Sequence, residues 1–234
     1  MRTLIGTSGY SYPAWKGSFY PKDLPAKRML PFYAERFSAV EINNTFYRMP
    51  GEKLLSSWAE QVGPDFQFAL KAPQRITHQK RLVDAESVTQ EFVRIARGLG
   101  GRLGPLLFQL PPYMKKDLPR LQAFLELLPP DVRVTFEFRH PSWVDDEVHG
   151  ALQSHGAALC LSETDETEPP RVATADWGYL RLRRTDYAEG ALEAWAKWIQ
   201  AQAWKGAFIF FKHEDEGRGP AFAERLRTLW RSVG

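Results

Sequence analysis

Cysteine is nearly absent: Cys160 is the one thiol in 234 residues, so no internal disulfide can form. Set in the apolar run AALCLS, it reads as a buried, inert thiol, consistent with a reducing cytoplasm. Long apolar runs are missing as well. None nears the roughly 20 residues of a membrane-spanning helix, and the opening MRTLIGTSGY has no leader-like apolar stretch. The expectation is therefore a soluble cytoplasmic protein with no membrane partner. Histidine is scarce, at five, with no HxxxH or similar pair, which leaves a multi-zinc centre short of ligands. No run of one charge sign stands out, and a net charge of +3 permits an anionic partner without demanding one. Repeats, low-complexity segments and linkers are lacking too, so residues 1–234 read as one domain with a substantial core.

What is present in quantity is patterned apolar sequence and aromatic residues, the latter at 13% with eight Trp and eight Tyr. Eight short strand-like runs recur: TLIG (3–6), AVEINNTF (39–46), FQFALKA (66–72), GPLLFQL (104–110), VRVTFEF (132–138), AALCLS (157–162), YLRLR (179–183) and AFIFFK (207–212). Helical stripes lie between most of them. Val88, Phe92, Ile95 and Leu99 share one face, as do Leu118, Leu121, Leu125 and Leu128 behind an N-cap at Asp117. Strands alternating with helices predict a parallel sheet with helical crossovers, and eight strands in this length predict a closed (β/α)8 TIM barrel. An open doubly wound sheet is the alternative. Residues 164–178 carry no helical period, so the sixth helix is expected to be short or irregular.

In such a barrel the active site lies at the C-terminal strand ends, and alternation sorts each end into inward and outward sets. The bulky apolar residues belong outside, beneath the helices. That leaves Glu41, Asn43 and Thr45 inside on strand two, Lys71 on three, Gln109 on four, Glu137 and Arg139 on five, and Arg181 with Arg183 on seven. The stretch VEINNTFY (40–47) is read as continuous strand. Strand six has no settled parity, although Glu163 follows it, and strand eight ends at Lys212 or His213. Loops add Tyr10, Tyr12, Trp15, Tyr47, His78, Tyr113, His140, Trp143 and Trp177 around the mouth.

Cations outnumber carboxylates in this set, and a concave, aromatic-walled site with convergent charges suits a small anionic or sugar-like ligand. As an enzyme, the protein would use Glu41 and Glu137 as acid and base, their pKa tuned towards neutrality, with His78 and His140 as proton carriers. Lys71, Arg139 and Arg181 would clamp the anion, and Asn43 and Gln109 would orient hydroxyl groups. A hydrolase, lyase or isomerase would fit. A metal-dependent nuclease is the second reading, since basic and aromatic residues also grip nucleic acid. No cofactor is predicted; a single divalent ion on residues drawn from His78, His140, His213, Glu41, Glu137 and Glu163 is the most the chain would support. A non-catalytic ligand-binding protein is the third reading. Against all three stands a structural one, in which Glu41–Lys71 and Glu137–Arg139 are simply buried ion pairs.

The motifs IGTSGYSYPAWKGSFYP (5–21), VEINNTFYRMP (40–50), FALKAPQRITH (68–78), LGPLLFQLPP (103–112) and FEFRHPSW (136–143) resemble the YecE-like family, a bacterial and archaeal group of unknown function with a TIM-barrel fold. ATADWGYLRLR (173–183) fits more loosely. The resemblance spans essentially the whole chain and implies the fold; it implies no activity. Kinship with endonuclease-IV-like barrels is analogy of fold alone. The C-terminal stretch FFKHEDEGRGPAFAERL (210–226) departs from the family, whose last strand commonly runs into an Asn-rich segment.

Overall fold

The alternating runs form eight parallel strands: β1 (Arg2–Ser8), β2 (Ala39–Ile42), β3 (Gln67–Lys71), β4 (Leu103–Gln109), β5 (Val134–Glu137), β6 (Ala158–Glu163), β7 (Trp177–Leu182) and β8 (Gly206–Phe211). Each pairs with the next, and β8 pairs with β1, closing a (β/α)8 TIM barrel. This computed structural model describes residues 1–188, 190–212 and 216–233. Among the described residues eight α-helices accompany the strands: α1 (Met29–Ala34), α2 (Asn44–Tyr47), α3 (Glu52–Glu60), α4 (Glu86–Ala96), α5 (Leu118–Glu126), α6 (Asp146–Ser154), α7 (Ala191–Gln200) and α8 (Arg218–Val233). The segment between β6 and β7 has no helix, as its missing period foretold.

Local chemistry accounts for the helices. The apolar stripe of α4 buries Val88, Phe92 and Ile95 against the sheet. The α5 stripe buries Leu121, Phe124 and Leu125, and Asp117 caps it by accepting a hydrogen bond from the Arg120 amide at 3.1 Å. Among the described residues, no helix is long and apolar enough to cross a membrane.

Two cores result from the strand parity. Val40, Ile42, Phe68, Leu70, Phe108, Phe136, Leu180 and Leu182 pack outward beneath the helices. Inside the barrel, small residues such as Ala39, Ala69 and Ala158 face large ones such as Tyr179, Phe208 and Phe210. Small facing large fills the tapering interior, so the lower barrel is solid. Cys160 belongs to this inner core, and burial pushes its thiol pKa well up. With Cys160 inside, β6 acquires a parity: Glu163 faces outward, where it accepts a hydrogen bond from Trp195 Nε1 at 3.1 Å and pairs with Arg184.

Two expectations are corrected by this architecture. VEINNTFY is not continuous strand. β2 stops at Ile42, and residues 44–47 turn into α2. The Thr45 hydroxyl is drawn into that turn, donating to the carbonyls of Ile42 and Lys71 at 3.1 and 2.6 Å. Trp177 stands at the opposite end from the mouth, where β7 starts beside Gly206.

Candidate functional site

Three inward side chains form the floor of the mouth. Glu41, Glu137 and Arg181 are 0%, 1% and 2% exposed. Arg181 spans the barrel. Its Nε and Nη2 donate to Glu41 Oε1 at 3.2 and 2.8 Å, and its Nη1 donates to Glu137 Oε2 at 2.5 Å. The planar fork of a guanidinium suits this task, since it presents donors in two directions at once. Glu41 is saturated from other sides too. Tyr179 donates to Oε2 at 2.7 Å, and Ser8 and Asn43 donate to Oε1 at 2.7 and 3.3 Å. The Ser8 contact depends on the β1–β2 register, which sets Ser8 beside Glu41. It also depends on Gly9, whose φ of +94° turns the chain where a Cβ would sit 2.4 Å from the Tyr12 hydroxyl.

Electrostatics follow from this geometry. Burial alone would raise both carboxylate pKa values, but Arg181 outweighs it at Glu41, with help from Tyr179 and Ser8, and holds the pKa below its usual range. At Glu137 burial is likewise outweighed, by Arg181, Arg139 and Arg183 together, and the pKa falls to about 2. Both groups are therefore carboxylates at neutral pH. The expectation of glutamates tuned towards neutrality is not what this arrangement produces.

Above the floor the balance of charge changes. Arg139 Nε donates to Glu137 Oε1 at 2.7 Å, and Arg183 Nη2 lies 3.8 Å from the same oxygen. Three guanidinium groups thus surround one carboxylate. The Arg139 and Arg183 side chains are 33% and 15% exposed, so they form the wall between floor and solvent. The Nε of Arg183 is buried with no hydrogen-bond partner among the described residues. Lys71 stands on the adjoining strands, its Nζ donating to Gln109 Oε1 at 2.6 Å and lying 4.1 Å over the Phe46 ring. Among the described residues no carboxylate pairs with it. Burial, then Arg181, lowers its pKa to about 8, against the raising pull of Glu137 and Glu41. The expected Glu41–Lys71 pair is replaced by Glu41–Arg181, while Glu137–Arg139 is present.

The remaining expected residues divide into rim and scaffold. His78 sits in a π-helical turn (Arg75–Gln79), shares a hydrogen bond with Thr77 at 2.9 Å and meets the Phe46 ring edge-on at 4.9 Å. Burial, Lys71 and Arg139 lower its pKa. Tyr47 is exposed on α2, and Tyr10 is half-buried near Tyr33. His140 caps the short 3-10 helix at Pro141–Trp143, its Nδ1 accepting from the Ser142 amide at 3.2 Å. Trp15 and Trp143 are core residues, 1% exposed, not walls of the mouth. Trp143 donates to the Met114 carbonyl at 2.7 Å and stacks on Phe138, while Trp15 packs among Tyr12, Phe19 and Tyr20. His213 lies outside the described residues. Among those described, no group of three His, Cys, Asp or Glu side chains comes together to hold a metal.

Sequence reasoning missed Tyr179 and Ser8. Both were legible by parity, Tyr179 two residues before Arg181 and Ser8 two residues beyond Gly6 on β1.

A family model described as "Protein of unknown function DUF72" matches residues 4–233. The chain is 26% identical over 259 residues to the UPF0759 protein YecE of Escherichia coli (strain K12), covering 98% of this chain and 92% of that protein. It is 28% identical over 134 residues to the UPF0759 protein YunF of Bacillus subtilis (strain 168), covering 54% and 48%. A solved DUF72 family protein from Thermotoga maritima MSB8 superposes with a TM-score of 0.88 at 25% identity, over 99% of this chain and 100% of that one. A DUF72 family protein from Enterococcus faecalis V583 shares the fold, with a TM-score of 0.79 at 15% identity over 98% and 95%. None of these relatives brings an activity with its name.

Proposed function

The chain belongs to the DUF72 family, which supplies no activity to inherit, and from its geometry we propose that it binds a small oxyanion-bearing ligand at the C-terminal mouth of the barrel. One observation carries the reading: Arg139, Arg181 and Arg183 converge on the single Glu137 carboxylate, so that these three guanidinium groups and the nearby Lys71 outnumber the two carboxylates Glu41 and Glu137. Like charges held together at a half-buried rim repel, and an inserted phosphate or carboxylate relieves that repulsion with charge-assisted hydrogen bonds. Arg139 and Arg183 are the anion clamp, with Lys71 as a point charge beside it. Gln109 and Asn43 offer amide groups to ligand hydroxyls.

In this reading Glu41 and Glu137 build the floor and take no proton. Lys71, its pKa lowered to about 8, and His78, whose pKa is lowered by burial and by Lys71 and Arg139, are the candidates for acid–base work. A phosphate-bearing or sugar-like metabolite of the cytoplasm is the substrate class. A metal-dependent nuclease fits less well, because a metal on Glu41 and Glu137 would have to displace Arg181 from both.

Inorganic phosphate tests the reading. At 100 times its Kd it is expected to stabilise the protein by about 2.7 kcal/mol, a rise in Tm of roughly 5–11 °C. Sodium chloride of equal ionic strength should not reproduce the rise, and an Arg139→Gln/Arg183→Gln double variant should lose it. A response of equal size in that variant would place the anion elsewhere and defeat the proposal.

A further inference from the structure

Lys71 stands in surroundings that an ion-pair role does not explain. Among the described residues its amine donates to a neutral amide oxygen, Gln109 Oε1 at 2.6 Å, and lies 4.1 Å over the Phe46 ring. The fixed charges that act on it are the cations Arg181 and Arg139 and, in the opposite sense, the carboxylates Glu137 and Glu41, neither of which it pairs with. A lysine meant to neutralise a carboxylate would be paired with Glu41, one strand away. Arg181 takes that position instead, from the far side of the barrel. A half-buried amine close to cations, with no carboxylate in direct ion-pair contact among the described residues, is how proteins free a lysine nitrogen for nucleophilic attack.

We propose that Lys71 is a carbonyl-condensing residue: the mouth takes a small anionic aldehyde or ketone, seats its oxyanion on Arg139 and Arg183, and joins its carbonyl carbon to Lys71 Nζ as an iminium. The inference rests on the anion-site reading above and names the substrate class for that site. The neutral amine attacks the carbonyl carbon, forming the C–N bond as the C=O π pair moves to oxygen. One nitrogen-bound proton passes to that oxygen, giving a carbinolamine. A further proton from water lets the oxygen depart as water, and the nitrogen lone pair forms the C=N bond. No oxidant or reductant is consumed.

With a pKa of about 8, the neutral fraction of Lys71 at pH 7 is roughly 300 times that of an ordinary lysine. About a tenth of the amine is then neutral at pH 7 and able to attack. The Gln109 carbonyl oxygen orients the nitrogen, and His78, on the edge of the same Phe46 ring, is a nearby titratable group.

The experiment uses pyridoxal 5′-phosphate, an aldehyde bearing a phosphate, trapped with borohydride on the full chain and read by intact mass and peptide mapping. Lys71 is expected to take the label at least about tenfold faster than the other ten lysines. Inorganic phosphate should slow that labelling, and pyridoxal, which lacks the phosphate, should label Lys71 at least about tenfold less. Lys71→Arg should lose the adduct. Labelling spread over the surface lysines, equal in wild type and Lys71→Arg, would overturn the proposal. If phosphate still raised Tm in that case, the anion site would stand and the carbonyl chemistry alone would fall. Failure of both the Tm response and the label would remove both.

Discussion

Arg181→Met is expected to destabilise the barrel at pH 7 by about 3–5 kcal/mol, a fall in Tm of roughly 6–20 °C. Arg181 is the only cation paired with Glu41 among the described residues, and that carboxylate is fully buried. Without the guanidinium, Glu41 keeps the hydroxyl donors Ser8 and Tyr179 but has no positive charge to offset its desolvation. Its folded pKa should then move above the unfolded value, because burial is the largest influence on it and acts upward. The sign of the pH effect follows. In wild type both glutamates are depressed, so their contribution is present above the unfolded pKa and lost as pH falls through the folded value, about 2 at Glu137. In the variant Glu41 is raised, so stability is greatest below the unfolded pKa and is lost as pH rises through the folded one. Acidification from pH 7 to 4 should therefore narrow the gap between the two proteins. Melting curves across that range check this, and a pH-independent gap would mean that Arg181 serves packing, not charge.

Glu137→Gln should have a comparable effect for a different reason. It strips the shared carboxylate from Arg139, Arg181 and Arg183 and leaves three guanidinium groups converging on a neutral amide. Removing one partner of such a network costs about 3–5 kcal/mol, or roughly 6–20 °C in Tm for a domain of this size. An added oxyanion can occupy the vacated charge position, so sulfate or phosphate should restore part of the loss and stabilise the variant more than wild type. Wild type should also lose its advantage on acidification, since a folded pKa of about 2 makes the Glu137 contribution vanish between the unfolded carboxylate range and that value. An unchanged Tm at pH 7 would show a carboxylate held at the floor without benefit to the fold, and would return Glu137 to the reacting groups.

The barrel and much of its floor were legible because a closed parallel sheet imposes a strict period of two on apolar residues. Phe68 and Leu70 outside require Lys71 inside, and Leu180 and Leu182 do the same for Arg181. The end of β2 was not legible. Thr, Phe and Tyr at 45–47 are good strand residues, yet α2 forms there, with Thr45 tied to the Lys71 carbonyl by a contact far along the chain. Ion-pair partners were also hidden. Glu41 and Lys71 lie on adjacent strands, whereas Glu41 and Arg181 meet across the barrel, 140 residues apart, and only side-chain reach decides between them. Aromatics near strand ends gave no sign of depth. Trp15 and Trp143 pack into the core while Tyr47 and Tyr113 stay exposed, because a ring serves equally as wall or as filling.

The same geometry separates structural charge from functional charge. Arg181 is saturated between Glu41 and Glu137, and replacing it costs stability. Arg139, Arg183 and Lys71 exceed the carboxylates present, and proteins that hold unbalanced charge at a cleft do so at some expense to stability. Anion capture at the mouth can be seen in an anomalous diffraction map from crystals soaked in tungstate, a tetrahedral oxyanion. A tungsten peak is expected at the barrel mouth, with Arg139 and Arg183 both bonded to the tungstate oxygens. A well-ordered mouth without that peak, in crystals whose tungstate binds only at other surfaces, would contradict anion capture there.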